Sequence, residues 1–135
     1  MDKKTNQELE AFIKEHSKTK EKTVGFVEYL YSLLDKYGYT NSADLYNKAN
    51  ISRQSWSTII SGKSNPSLNT CLKIVFALHL NNHECKYLLK KAGYTLASSN
   101  RYALIIRFAV EHKIYDIYEV NELLSENGYE DSLII

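Results

Sequence analysis

Apolar residues recur along this chain at intervals of three and four, and nowhere do apolar and polar positions alternate long enough to suggest a strand. The pattern predicts an all-α fold. Phe26, Tyr29, Leu30, Leu33, Leu34 and Tyr37 form the stripe of a core-facing helix that Gly38 closes. A second, short helix, opened by Thr40 or Asn41, carries Leu45 and Ala49 and ends at Asn50, a residue tolerant of left-handed backbone. Ser52 caps a third. Pro66 and Ser67 open a fourth with Leu68, Cys71, Leu72, Val75 and Leu78 on one face. Asn81 and Glu84 have the capping-box spacing for a fifth, with Cys85, Leu88, Leu89 and Ala92 inside and Gly93 at its end.

Two more helices are expected beyond the polar connection YTLASSN. RYALIIRFAVEH places Leu104, Ile105, Ile106, Phe108, Ala109 and Val110 nearly all round the axis, the pattern of a helix buried on more than one side. The last helix, opened by Asp116 with Glu119, carries Ile117, Val120, Leu123 and Leu124 and stops at Asn127-Gly128. The apolar end LII must pack on the domain or on a partner. Near the N-terminus, Thr5 and Glu8 suggest a capping box for a short helix or arm bearing Leu9, Phe12 and Ile13, followed by a flexible charged connector, HSKTKEKT. Three helices end in Gly-Tyr, at Gly38-Tyr39, Gly93-Tyr94 and Gly128-Tyr129, which is repeated capping chemistry and not an internal repeat.

The 135 residues, 44% of them apolar and 24% charged, suit one globular unit with a core of its own. No apolar run approaches a membrane span, and the N-terminus MDKKTNQELEAF has charges where a signal peptide would be apolar, so a cytoplasmic protein without membrane contact is expected. Two cysteines without a spaced framework predict no disulfide. The net charge of +1 conceals an asymmetry. Residues 40–92 hold seven basic and two acidic residues, a net +5, whereas 101–135 hold three basic and seven acidic, a net −4. A basic middle segment points to a polyanion, and an acidic tail to solvent or a different partner.

The third helix adds chemistry to this charge. In RQSWSTIISGKSNPSL, Trp56, Ile59 and Ile60 supply a core side while Arg53, Gln54, Ser57 and Thr58 are polar. The longer stretch LYNKANISRQSWSTIISGKSNPSLNTCLKIVFALHLN, Leu45 to Asn81, resembles the Cro and phage-repressor (XRE-type) helix-turn-helix family. Leu45, Ile51, Ser52, Ile59, Gly62, Lys63, Pro66, Ser67, Leu68, Leu72, Ile74, Ala77 and Leu78 fall in step with its pattern. The resemblance implies a five-helix, lambda-repressor-like domain over 25–93, an N-terminal arm over 1–24 and a C-terminal helical extension over 94–135 for oligomerisation or partner binding. It also implies that the helix from Ser52 to Ser61 enters the major groove of double-stranded DNA. Ser52, Arg53, Gln54, Ser57 and Thr58 would then face bases and phosphates, since Arg suits guanine, Gln suits adenine and the hydroxyls fit either. Lys63 and Ser64 are candidate backbone contacts, as is Ser42, which stands where the family often has a phosphate-binding Gln. Tyr46 replaces a small Ala of the pattern and is expected to pack with Trp56; Asn50 replaces the turn Gly, and Ile60 an acidic residue.

The family implies a repressor-like transcription regulator of a prokaryote or phage, acting as a homodimer on two half-sites. An antitoxin-like or adaptor protein, using the same fold and its C-terminal helices to bind a protein, is the alternative. Other signals are weaker. Gly62-Lys63-Ser64 lacks the first glycine of a phosphate-binding loop, because Ser57 occupies that position, and follows a helix instead of a strand. Cys71, His79, His83 and Cys85 invite a zinc reading, but Cys71 falls at a core position and Leu80-Asn81-Asn82 breaks the helix that would align the histidines. His16 and His112 have no evident nucleophile or carboxylate partner. Neither enzymatic activity nor a cofactor is expected.

Overall fold

The computed structural model describes residues 3–21, 25–97 and 99–135, with the backbone alone at 14–21. All regular structure among these residues is helical: α1 (Lys3–Glu21), α2 (Phe26–Lys36), α3 (Ser42–Lys48), α4 (Arg53–Ile60), α5 (Leu68–Leu78), α6 (Asn82–Lys91), α7 (Arg101–Glu111) and α8 (Ile117–Glu126), with a 3-10 turn at Glu130–Ser132. No helix among them is long and apolar enough to cross a membrane.

Side chains set the helix starts. Asn41, Ser52, Ser67, Asn81, Asn100 and Asp116 each accept a hydrogen bond from a backbone N–H of the first turn, and Asn81 with Glu84 completes a capping box. Glycine at positive φ sets three of the ends. Tyr39, Tyr94 and Tyr129 donate their N–H groups back to Leu34, Leu89 and Leu124 at 2.8, 2.8 and 2.9 Å, the closing bond of a Schellman motif that the Gly-Tyr pairs foreshadow.

α1 departs from the sequence expectation. It is no short helix followed by a connector: it starts at Lys3, ahead of Thr5, and runs through the charged segment to Glu21, with 22–24 outside the described residues. Positions 3–21 contain neither Gly nor Pro and are rich in Lys and Glu, so nothing in the segment breaks a helix once it has begun. Leu9, Phe12 and Ile13 are exposed, and none of the described side chains of α1, those of 3–13, joins the buried cluster.

That cluster is continuous from α2 to the end of the chain. Leu30, Leu45, Trp56, Leu72, Val75, Leu88, Ile106, Val120 and Leu124 belong to it, so α7 and α8 share one core with α2–α6. α7 buries Ala103, Ile106, Ala109 and Val110 but leaves Leu104 and Phe108 exposed, so it is covered on one side only, against the expectation from its apolar circumference. The apolar end packs on the domain: Ile134 is buried, and Asn121 both donates to its carbonyl (2.8 Å) and accepts from its N–H (2.7 Å). Asn69 makes the same double contact with Ile135, tying the chain end to the start of α5.

Glu84 is the one buried charged residue among those described, and it joins α2 to α6. Its carboxylate accepts from Lys36 Nζ (2.7 Å), Tyr37 Oη (2.5 Å) and the backbone N–H of Asn81 (3.2 Å). Burial pushes its pKa up, but the hydrogen bonds and the Lys36 charge outweigh burial and hold it below the ordinary value of 4.5. Desolvation and the bond to Glu84 in turn push the Tyr37 hydroxyl up to about 12. A carboxyl that titrates lower when folded contributes stability that is complete above its unfolded pKa and is lost as pH falls through the folded one. Glu84→Gln should therefore lower the unfolding free energy at pH 7 by about 1.5–3 kcal/mol, the range for hydrogen bonds to a charged group. The gap from the parent should narrow in acid, below the ordinary carboxylate value of 4.5, where the native carboxylate protonates. Denaturant titrations at both pH values check this, and an equal gap at both would rule out the carboxylate as its source.

Candidate functional site

α4 has eight residues, too few to hold a helix in water, so its geometry is imposed from outside. α3 ends in a turn of four residues, 49–52. Asn50 adopts φ +57°, Ile51 is buried and donates its N–H to Tyr46 O (2.8 Å), and Lys73 Nζ reaches from α5 to the Asn50 carbonyl (3.2 Å). Ser52 Oγ then accepts from the N–H of Ser55 (3.1 Å) to start α4. Trp56 and Ile59 anchor the helix in the core, and the Trp56 ring lies 5.6 Å from that of Tyr46 with a 39° tilt, the pairing expected from Tyr46 standing where the family pattern has Ala.

With one face held, the other is presented. Arg53, Gln54 and Ser57 are exposed along α4, Thr58 is half-buried, and Lys63 and Ser64 are exposed in the loop that follows. Two shallow grooves flank this ridge. Ser42, Arg53 and Ser57 border the first, between the start of α3 and α4, with Tyr46 and Trp56 among its walls. Gln54, Thr58 and Ser64 border the second, between α4 and the start of α5. Lys63 lines neither but sits in the loop beside Ser64, so the structure brings every candidate except Ser52 to the grooves or to that loop.

The hydroxyls are not equivalent. Ser52 Oγ donates to Ser55 Oγ (2.9 Å) and Thr58 Oγ1 to the Gln54 carbonyl (2.9 Å), so both protons are already used within α4. Phosphate oxygens require donors, which leaves Ser52 and Thr58 with acceptor lone pairs only unless they rotate. Arg53, Gln54, Ser57, Lys63 and Ser64 have no side-chain hydrogen bond or ion pair among the described residues, and all five can donate. Sequence reasoning missed six polar residues on the groove walls, Asn41, Ser55, Ser61, Asn65, Ser67 and Thr70. Asn41 and Ser67 are helix caps, and the capping pattern that revealed them as such gave no sign that they also border α4.

The charge balance of the segment 40–92 follows from the fate of its acids. Asp44 and Glu84 are the only carboxylates between 40 and 92, and Glu84 is buried against Lys36 and Tyr37. Asp44 alone remains exposed there. The sulfur and imidazole groups stand elsewhere. Cys71 and Cys85 are buried, and burial pushes both thiols up to about 12. His79 stacks on Tyr115 with ring centroids 4.5 Å apart, and His83 on Tyr87 at 6.1 Å. Among the described residues no group of three or more His, Cys, Asp or Glu is disposed to hold a metal ion.

No family model, curated protein or solved structure matches the chain.

The division of α4 into an anchored and a presented face has a direct test. Trp56→Ala should cost about 3–5 kcal/mol of stability, while Arg53→Ala and Ser57→Ala should each stay within about 0.5 kcal/mol of the parent. Thermal unfolding of the three variants checks this; a tolerated Trp56→Ala would mean that α4 is not held by its apolar side.

Proposed function

We propose that the chain is a sequence-specific DNA-binding regulator in which α3, the four-residue turn and α4 act as a helix-turn-helix and α4 reads the major groove. The observation that carries this reading is the ridge of free donors on α4, Arg53, Gln54 and Ser57, borne on a helix whose opposite face is locked by Trp56 and Ile59. Base readout needs polar side chains on a rigid element, because a wobbling donor loses geometric discrimination. The surroundings agree. The segment 40–92 carries a net +5, and the start of α5, beside Gln54 and Thr58, offers the positive end of a helix dipole to phosphate.

Repression by a homodimer completes the proposal. Two copies reading half-sites about one DNA turn apart need a self-complementary contact, and the exposed pair Leu104 and Phe108 on α7 is an apolar surface suited to it. The same exposed pair favours the second reading, an antitoxin-like or adaptor protein whose C-terminal helices hold a protein partner. Sedimentation of the full chain at tens of micromolar, roughly, should show a dimer that Phe108→Ser weakens; a monomeric parent would favour the second reading.

DNA binding separates the two. Against the DNA upstream of its own coding sequence, with scrambled DNA as control, Arg53→Ala and Gln54→Ala should each cost about 1–3 kcal/mol of specific affinity and less of non-specific affinity. Lys63→Ala should weaken binding to every sequence and reduce the magnitude of the salt slope by about 0.9 for each phosphate that is no longer neutralised. If the parent shows no salt-dependent DNA binding, or all three variants bind as it does, the protein-binding reading takes precedence.

A further inference from the structure

A cleft of about 820 Å³ opens on the side of the turn that faces the C-terminal helices. It lies among the ends of α3, α5 and α7, and its lining runs from Lys48–Asn50 through Phe76 and His79 to Lys113–Ile117 and Ile134. That volume is within the range of small-molecule sites. It is distinct from the two grooves beside α4.

The backbone around it is unusual in one respect. Four helix ends or turns elsewhere use glycine at positive φ, at Gly38, Gly62, Gly93 and Gly128. Among the described residues, the three non-glycine residues at positive φ are Asn50, His79 and Lys113, and all three line this cleft. Left-handed backbone is disfavoured for any residue with a Cβ, least so for Asn. At these three helix ends the chain keeps a side chain where glycine is the less strained choice. Strain retained around one cavity is a reason to look for a role in those side chains.

The chemistry of the walls specifies a ligand. Ile114, Ile117 and Ile135 supply accessible apolar surface over a floor formed by the buried Phe76 and Ile134. Lys48, Lys73 and Lys113 supply three cations against two carboxylates, Asp116 and Glu119, and Asp116 already accepts from the N–H of Tyr118 at 2.9 Å as the cap of α8. Lys73 is engaged with the Asn50 carbonyl. Lys48 and Lys113 have no hydrogen bond or ion pair among the described residues. An apolar cavity with two free ammonium groups at its edge suits an amphipathic anion.

We propose that this cleft binds a small aliphatic carboxylate, its chain against Ile114, Ile117 and Ile135 and its head between Lys48 and Lys113. Because the Asn50 carbonyl and Lys73 form one wall, occupancy bears on the turn that sets α4, and the ligand acts as an effector of DNA binding. That second step rests on the DNA-binding reading; the binding step does not.

The test uses decanoate below its micelle concentration, with decanol and decyltrimethylammonium as uncharged and cationic controls, followed by calorimetry on the full chain. One saturable site for decanoate, with neither control competing, is the expected result. Lys113→Gly removes a cation while relieving the left-handed strain, so it should fold with a melting temperature at or near that of the parent and lose about tenfold in decanoate affinity. Ile117→Ser, a second variant from the apolar wall, should weaken binding also. No saturable binding, equal binding of a control, or full affinity in both variants would overturn the site. Saturating decanoate should then shift the affinity for upstream DNA severalfold. If the parent binds DNA and decanoate leaves that affinity unchanged, the effector role is overturned while the site stands; if the parent binds no DNA, the functional reading fails and calorimetry still decides the site.

Discussion

Between Cys71 and Leu78 every residue of α5 except Lys73 is buried, and a helix enclosed to that degree has to be wrapped by its neighbours. α3 packs on one side of it and α6 on another, and the α7–α8 connection is fixed over its end by Tyr115, whose hydroxyl donates to the Leu80 carbonyl (2.9 Å). Lys73 is the residue of this stretch that reaches outward, and its bond to the Asn50 carbonyl adds to the Ile51 N–H bond to Tyr46 in holding the turn before α4. The presentation of α4 is thus a consequence of how α5 is covered. A change of volume at Phe76 would be felt in the cleft that it floors, since close-packed interiors pass strain on instead of absorbing it.

Local chemistry made most of the helix boundaries legible. An N-cap needs only a side chain and an N–H two or three residues away, and a Schellman end only a residue tolerant of positive φ and a donor that reaches five residues back. Asn41, Ser52, Ser67, Asn81 and Asp116 could therefore be assigned from short windows, as could the three Gly-Tyr ends. His79 and Lys113 escaped because neither residue type signals left-handed backbone, and only their neighbours' hydrogen bonds, Leu80 N–H to Val75 O and Ile114 N–H to Ala109 O, reveal it. The length of α1 escaped for the opposite reason. Its charged stretch has the composition of a connector as much as of a helix, and propensity alone does not choose between them.

Long-range placement was less legible still. Amphipathicity gave the inward side of α4 as Trp56, Ile59 and Ile60, of which Ile60 is only partly buried and lines the first groove, and it could not show that Gln54 and Thr58 look toward α5 while Arg53 and Ser57 look toward α3. Nor could it show that Ser52 and Thr58 already use their hydroxyl protons, which depends on rotamers that composition does not encode. For α7 the apolar circumference suggested enclosure, yet Leu104 and Phe108 remain outside because α8 covers only one flank. The insertion of Ile134 was foreseeable as a need to hide apolar surface. Its partner was not, since Asn121 and Asn69 carry no pattern that marks them as clamps for a chain end.

The distribution of charge gains meaning from burial. A net charge of +5 over 40–92 could have been offset locally, but one of its two acids, Glu84, is withdrawn into the α2–α6 contact and neutralised there. Burying that carboxylate serves stability, and it also removes a negative charge from the basic segment's surface. Lys36, which supplies the counter-charge, comes from outside 40–92, so none of the seven cations of the segment is consumed in the exchange. The acids of the C-terminal helices lie at the other end of the chain's charge distribution, where seven carboxylates face three basic residues. The cations of 40–92 are spread over the molecule: Arg53 borders the groove beside α4 and Lys63 follows in the next loop, whereas Lys48 and Lys73 line the cleft toward the C-terminal helices and Lys86 and Lys90 another pocket with Arg107. Under the DNA-binding proposal, Arg53 and Lys63 are therefore the cations that would act at the α4 face, and α4, anchored by Trp56 and capped by Ser52, would be the rigid element that carries the first of them.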